Sequence, residues 1–258
     1  MDTQQFDALI IGFGKAGKTL AVALANAGKK VALVERSPKM YGGTCINIAC
    51  IPTKVLVSAA EHHQSFDEAM AHKTTVVTRL NEKNYHMLAD RETVSVIEGE
   101  ASFVDDHTVK VVAGDDELVV SAPQIFINTG AESIIPDIPG VDKPFVYTST
   151  ELLDKMTQPK HLAIIGGGYI GLEFASTYTK LGTKVTVFER GDALLAREDP
   201  AIARATTEAL QAQGIEIVFN VDVTAIEGES TATIRTANHD NYAGYDAVLM
   251  ATGRRPAT

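Results

Sequence analysis

Hydrophobic residues along the chain gather into short apolar runs, each followed by a glycine break or an amphipathic stretch. Ala8-Leu9-Ile10-Ile11, Leu162-Ala163-Ile164-Ile165, Ile125-Phe126-Ile127 and Ala247-Val248-Leu249-Met250 carry no charged position. Such runs predict strands buried on both faces, the pattern of a sheet covered on either side. Further strands are predicted at Val94 to Ile97, Thr108 to Val112 and Leu118 to Val120, with turn signals at Asp105-Asp106 and Gly114-Asp115. The region from about Pro52 to Arg91 reads as a long helical region, and the three strands after it as an antiparallel insertion. The second half repeats that insertion near Glu216 to Phe219, Asp222 to Ile226 and Ala232 to Thr236.

The pattern occurs twice. Ala8 to Gly17 aligns with Leu162 to Gly171 at an offset of 154, and Gly28, Val31, Glu35 and Arg36 fall on Gly182, Val185, Glu189 and Arg190. Each copy reads apolar strand, glycine turn, helix, second strand, and an acid 23 residues after the first glycine. A lone GxGxxG is weak evidence, because glycine serves many turns. With strand, helix and acid in register, it is the dinucleotide fingerprint. Gly12 and Gly166 permit the tight turn, Gly14 and Gly168 let backbone approach a diphosphate, and Gly17 and Gly171 let helix pack on strand. Glu35 and Glu189 are placed to accept hydrogen bonds from ribose hydroxyls.

The expected fold class is therefore α/β: two Rossmann-like dinucleotide-binding folds, each three-layered with an antiparallel β insertion. Both halves close on a strand running into Thr-Gly, at Thr129-Gly130 and Thr252-Gly253. Pro136 to Pro144, with Pro139-Gly140, reads as a linker. That places a first domain at 1–149 and a second at 150–258.

Composition narrows the choice of function. With 258 residues and 45% hydrophobic content, two ordinary cores can form. A formal charge of −10 repels phosphate backbones, so nucleic acid and anionic membrane are not expected as partners. No apolar run reaches the length of a membrane span, and Met1-Asp2-Thr3-Gln4-Gln5 leads straight into the first strand without a basic signal region. A cytoplasmic location is expected. Two cysteines are too few for a secreted disulfide framework.

Those cysteines lie five apart in Gly42-Gly43-Thr44-Cys45-Ile46-Asn47-Ile48-Ala49-Cys50-Ile51-Pro52-Thr53-Lys54. Five helical residues climb about 7.5 Å, while bonded cysteines need Cα atoms within about 7 Å. A bond between them requires a distorted helix start. A thiol at a helix N-terminus near Lys54 would have its thiolate favoured. Spacing alone leaves three readings open: a redox pair, metal ligands completed by His62 and His63, or inert core thiols.

The thirteen residues together resemble the redox-disulfide signature of the class I pyridine nucleotide-disulfide oxidoreductases, the group of dihydrolipoamide dehydrogenase, glutathione reductase and mercuric reductase. The resemblance extends over the whole chain. The opening Ile-Ile-Gly-Phe-Gly-Lys-Ala-Gly-Lys is most similar to the branch linked to reactive-chlorine resistance and associated with copper. It implies FAD on Gly12, Gly14, Gly17 and Glu35, with Gly43, Thr44, Lys54, Ala101, Thr129, Gly130 and Ala131 completing the site. It implies NAD(P)H on Gly166, Gly168, Gly171 and Glu189, assisted by Val223 and Gly253, with Tyr169 as a gate. Cys50 would face the flavin and Cys45 the substrate, and Lys54 would pair with Glu173 in a dry site. Electrons would pass from NAD(P)H through FAD to a Cys45–Cys50 disulfide, then to a disulfide, a copper or mercury ion, or an oxidant. No resident metal is implied. A carboxylate at Glu189 repels a 2′-phosphate, which favours NADH over NADPH, with Arg190 moderating the preference.

Two departures from the family stand out. Ala49 replaces a common glycine, and the family's second FAD motif and interface domain, which carries a His-Glu pair, lie beyond Thr258. The seven histidines, His62, His63, His72, His86, His107, His161 and His239, match no such pair and are expected on exposed helices or loops. The parent enzyme is thus expected to be a homodimer, and this chain a monomeric or unusually associated portion with weakened hold on FAD. The alternatives are a non-catalytic dinucleotide-binding fragment and a metal-binding thiol module.

Overall fold

A computed structural model of the chain describes residues 3–257. Its contacts divide the described chain into two compact units. The first comprises residues up to Pro52, Thr74–Ala131, and those from Pro256 on; the second comprises Thr53–Lys73 and Glu132–Arg255. Each is built on an all-parallel sheet. In the first unit the strand order is Val94–Glu98, Val31–Glu35, Ala8–Ile11, Ile125–Ile127. In the second it is Glu216–Val218, Lys184–Phe188, His161–Ile165, Ala247–Met250, extended at the last edge by Val146–Tyr147. Four strands correspond one to one, so the sequence repeat is a repeat of topology.

Alternation along the buried strands sends side chains to two separate cores. In the first unit Ile10, Val31 and Leu33 pack with Phe13, Ala21 and Leu88 on the helix side. Their neighbours Leu9, Ile11, Ala32 and Val34 pack with Val109, Val111 and Val120 of the antiparallel sheet. The second unit does likewise. Leu162, Ile164, Val185 and Val187 meet the helices, and Ala163, Ile165, Val248 and Met250 meet Ile226 and Ile234 of the other sheet. Helices, parallel sheet and antiparallel sheet form the three expected layers.

One expectation is corrected in detail. Val94 to Ile97 and Glu216 to Phe219 were assigned to the antiparallel insertions, but Val94–Glu98 pairs parallel with Val31–Glu35 and Glu216–Val218 with Lys184–Phe188. The insertions are instead Glu100–Asp105, Thr108–Ala113 and Asp116–Ser121, and Val223–Glu227, Ala232–Thr236 and Asn241–Tyr245. Glu100–Asp105 escaped notice because five of its six residues are exposed, which leaves little hydrophobic signature. The two compact units are not contiguous in sequence. Leu56, Ala59, Phe66, Ala69 and Met70 join the second unit's core beside Leu172, Phe174 and Tyr178, which draws Thr53–Lys73 into that unit.

The helical region expected from Pro52 to Arg91 comprises two helices, Cys50–Glu61 and Phe66–Ala89. His63 takes a left-handed φ of 53°, and Ser65 and Glu68 form a reciprocal cap in which the Glu68 amide donates to the Ser65 hydroxyl at 3.3 Å and the Ser65 amide to the Glu68 carboxylate at 3.0 Å. Ser65→Ala is expected to cost about 1 kcal/mol, read as a lower urea midpoint at unchanged slope. Among the described residues no helix is long and apolar enough to cross a membrane.

Candidate functional site

The first glycine turn is shaped by absent side chains. Gly12 has φ +105°, and a Cβ there would lie 2.3 Å from the Asn128 carbonyl oxygen. At Gly17 a Cβ would meet Asn128 Nδ2 at 2.6 Å and the Gly12 carbonyl at 2.8 Å. Asn128 Nδ2 donates to that Gly12 carbonyl at 3.0 Å, so the loop is wrapped around one amide side chain. Gly14 precedes the Lys15–Asn26 helix, whose first turn holds no acidic residue and receives no side-chain cap. Its leading N–H groups are therefore open to an anion. Gly43 lies against this loop: a Cβ there would sit 2.5 Å from Gly14 Cα. Thr44 and Gly130 are also close, with Thr44 Oγ1 3.9 Å from the Cβ position of Gly130.

Buried Glu35 does more here than its spacing predicts. Its carboxylate accepts from the Phe13 amide at 2.9 Å and the Ser37 amide at 3.2 Å, tying the glycine turn to the second strand. Glu189 does the same in the second unit, accepting from the amides of Gly167 and Gly191, each at 2.7 Å. Both acids thus anchor the glycine loops that precede them.

The second glycine turn opens into a cleft of about 560 Å³ lined by Gly167, Gly168, Tyr169, Glu189, Arg197 and Gly253, among others. Gly166 has φ +113°, and a Cβ there would meet the Ala251 carbonyl oxygen at 2.5 Å, as Gly12 would meet Asn128. A Cβ on Gly171 would lie 2.3 Å from the Gly166 carbonyl, whereas Gly168 faces open space. The Tyr169–Lys180 helix again begins without acid or side-chain cap. Tyr169 is exposed, and its phenol donates to Glu198, a bond that pushes the phenol pKa up. Val223 opens the Val223–Glu227 strand and is not part of the cleft lining.

The thiols stand where the helix start is broken. Cys45 lies in the short Thr44–Asn47 helix; Ile48, at φ −137°, interrupts it, and Cys50 begins the next helix. The break gives the segment the distorted helix start that a bond between the two cysteines would require. Both thiols are free, and their side chains hydrogen-bond to each other. Burial first, and then the Cys50 hydrogen bond, push the Cys45 thiol above its usual range. Three asparagines fix the segment. Asn47 Nδ2 donates to the carbonyls of Tyr41 and Gly43, each at 2.9 Å, and Asn81 Nδ2 donates to Asn47 Oδ1 at 3.0 Å. Asn84, buried, accepts from Lys18 Nζ.

Lys54 and Glu173 form the expected ion pair. It is not dry: their side chains are 60% and 46% exposed. At such a surface the pair orients two side chains more than it adds stability. Ala101 sits half-buried in the antiparallel sheet opposite Val111, while Thr129 and Ala131 flank Gly130 at the exposed end of the Ile125–Ile127 strand. His161 is half-buried and the other six histidines are exposed, as expected. Among the described residues no group of three or more His, Cys, Asp or Glu side chains is placed to hold a metal ion. Sequence reasoning missed Asn128, Lys18 and the three asparagines of the thiol segment. Asn128 alone carried a signal, since it stands at the position of Ala251 ahead of the shared Thr-Gly.

Against known proteins, residues 6–258 match the family described as pyridine nucleotide-disulphide oxidoreductase. The chain is 48% identical over 255 residues to the probable pyridine nucleotide-disulfide oxidoreductase RclA of Escherichia coli (strain K12), a match covering 98% of this chain and 58% of the relative. It is 33% identical over 273 residues to a mercuric reductase of Staphylococcus aureus, covering 98% of this chain and 49% of that protein. The solved copper(II) complex of the HOCl-induced flavoprotein disulfide reductase RclA from Escherichia coli matches with TM-score 0.95 and 48% identity, over 100% of this chain and 58% of that one. The chain thus spans between about half and three-fifths of these relatives' length.

Proposed function

The chain belongs to the pyridine nucleotide-disulphide oxidoreductase family, and from that membership we propose that it binds FAD on its first unit and NAD(P)H on its second, passing electrons to the Cys45/Cys50 couple. The observation that carries this reading is the doubled cradle. Two glycine turns each lack the space for a Cβ, each leave a helix N-terminus open, and each are tied by an acid, and one of them supports a thiol pair.

Gly12, Gly14, Gly17, Glu35, Gly43, Thr44, Ala101, Thr129, Gly130 and Ala131, with Lys54, would hold FAD. Gly166, Gly168, Tyr169, Gly171, Glu189, Val223 and Gly253 would hold the nicotinamide dinucleotide. When bound, FAD supplies a two-electron carrier able to take hydride from reduced nicotinamide and to reduce a disulfide beside it. The chain's own contribution is positioning. Cys45 and Cys50 interconvert between a disulfide and two thiols with two electrons and two protons, and the hydrogen-bonded free thiols are the reduced form. Tyr169 stands at the cleft mouth as the proposed gate, and Lys54 is held in one direction by Glu173.

Glu189 supports a preference for NADH, because a 2′-phosphate would bring further negative charge beside a carboxylate committed to two loop amides. The acceptor is proposed to be a disulfide, a metal ion (copper or mercury) or an oxidant; a mercuric reductase among the relatives and the copper(II) complex of RclA support the metal ion. The acidic balance supports the absence of nucleic-acid and anionic-membrane partners, and a cytoplasmic location and a homodimeric parent are part of the same proposal.

The test is direct. Chain mixed with FAD and desalted should be yellow, should bleach when NADH is added without oxygen, and should then present two titratable thiols. Cys50→Ser should retain the colour and lose transfer to a disulfide acceptor. A colourless chain that takes up no added FAD would point instead to a non-catalytic dinucleotide-binding fragment.

A further inference from the structure

Asn81 is distant from the cysteines in sequence, yet it holds the turn that leads to them. It sits half-buried on the Phe66–Ala89 helix, within the first unit. Its Nδ2 meets four oxygens: Asn47 Oδ1 at 3.0 Å, and the carbonyls of Lys39 at 3.1 Å, Pro38 at 3.2 Å and Tyr41 at 3.4 Å. An amide nitrogen donates and does not accept, so this ring of acceptors fixes which way the Asn81 side chain points. Asn47, 34 residues away, is fixed in turn. Its Oδ1 accepts from Asn81, and its Nδ2 donates to the carbonyls of Tyr41 and Gly43, each at 2.9 Å. Turning the Asn47 amide over would set nitrogen against nitrogen at Asn81 and oxygen against both carbonyls.

The Asn47 amide closes on the segment that carries a thiol. Gly43 precedes the Thr44–Asn47 helix, and Cys45 lies between the two residues that this side-chain bond joins. The bond to Tyr41 draws in the loop before the helix. A helix of four residues does not hold itself, and this one is broken at Ile48 before Cys50 begins the next. Bonds from outside the helix therefore set where Cys45 stands relative to Cys50. We infer that Asn81 is a positioning residue for the thiol couple: by fixing the Asn47 amide, it holds the Cys45 turn where Cys45 and Cys50 can close a disulfide. Asn81 acts through Asn47 and not on sulfur. Closing the bond costs less chain freedom when the turn is already held, so Asn81 favours the disulfide over the two thiols.

The inference rests on the proposed role of the couple in electron exchange, but its test needs neither flavin nor nicotinamide. In a glutathione buffer the two thiols pass two electrons and two protons to oxidised glutathione, giving the Cys45–Cys50 disulfide and two reduced glutathiones. The balance is read by acid quench, alkylation of the remaining thiols and mass. Asn81→Ala should lower the equilibrium constant for disulfide formation about fivefold, the scale of one lost hydrogen bond. Asn81→Asp keeps the size and loses the donor; it should lower the constant at least as far, and it serves where the alanine variant does not fold. Asn47→Ala should shift the balance the same way, and Asn81→Ala added to it should change nothing more. An Asn81→Ala balance equal to the parent's, with only the urea midpoint lowered, would overturn the inference and leave Asn81 an anchor for its helix. So would an Asn81→Ala shift that persists undiminished beside Asn47→Ala. If NADH fails to bleach bound flavin while the thiol balance still shifts, the electron-transfer reading fails and this one stands; bleaching with an unmoved balance overturns this one and leaves that reading in place.

Discussion

Gly12→Ala is expected to destabilise the first unit by about 3 kcal/mol or more and to abolish FAD uptake. The Cβ would lie 2.3 Å from the carbonyl oxygen of Asn128 and 2.8 Å from its carbonyl carbon, and both are backbone atoms that no rotamer change can clear. Asn128 cannot simply retreat, because its amide donates to the Ile11 carbonyl at 2.8 Å and its side chain holds the Gly12 carbonyl. The φ of +105° adds strain of its own for a residue with a Cβ. Gly28→Ala is the control. It also replaces a positive-φ glycine, at +77°, but nothing lies within 4 Å of the new methyl, so about 1 kcal/mol of backbone strain is all it should cost. Urea denaturation of the two variants separates collision from strain. Equal losses would mean that the turn is not closed around Asn128. Gly166→Ala, with its Cβ 2.5 Å from the Ala251 carbonyl oxygen, should repeat the effect in the second unit, read as lost NADH affinity.

Tyr178→Ala should cost about 4 kcal/mol, the range for emptying a large aromatic site in a packed core. Tyr178 is fully buried, with its ring 5.9 Å from Phe174 in a stacked pair and 6.0 Å from Phe66. Burial also raises the phenol pKa, so its hydroxyl remains a neutral donor to the Leu152 carbonyl, 3.2 Å away. Tyr178→Phe should therefore lose only about 1 kcal/mol, the worth of that one hydrogen bond. The alanine variant has a second expected consequence. Phe66 belongs to the Thr53–Lys73 segment that packs into the second unit, and Lys54 sits on the same segment. Loosening the Phe66 contact should speed proteolysis between Glu61 and Phe66, a cleavage that Tyr178→Phe should leave slow. A Tyr178→Ala chain as stable as the parent would mean that this segment is not held by that core.

Much of this protein was legible from local pattern alone. Strand, glycine turn, helix and acid follow from residues close in sequence, and the same grammar written twice left little ambiguity about two dinucleotide folds. The helix break between Cys45 and Cys50 was legible only as what a bond between them would need, from the rise per residue and the Cα separation of bonded cysteines. Glu35 and Glu189 were found by their spacing, but that they hold their own loops through the Phe13 and Gly167 amides depends on the turn's final shape.

Local pattern could not reach the partners brought from afar. Asn128 lies 116 residues from the Gly12 carbonyl it holds, and Asn84 lies 66 residues from Lys18. The strands Val94–Glu98 and Glu216–Val218 look in sequence like their antiparallel neighbours, and only their parallel pairing with Val31–Glu35 and Lys184–Phe188 assigns them. Whether Thr53–Lys73 packs with one unit or the other was decided by where Tyr178 and Phe174 offered a complementary apolar face. The chain alone thus determined which chemistry is carried, since turns, caps and helix periods are short-range. Tertiary packing decided which side chains surround that chemistry and what charge they bring to it, because burial and long-range contacts exist only once the sheets have formed.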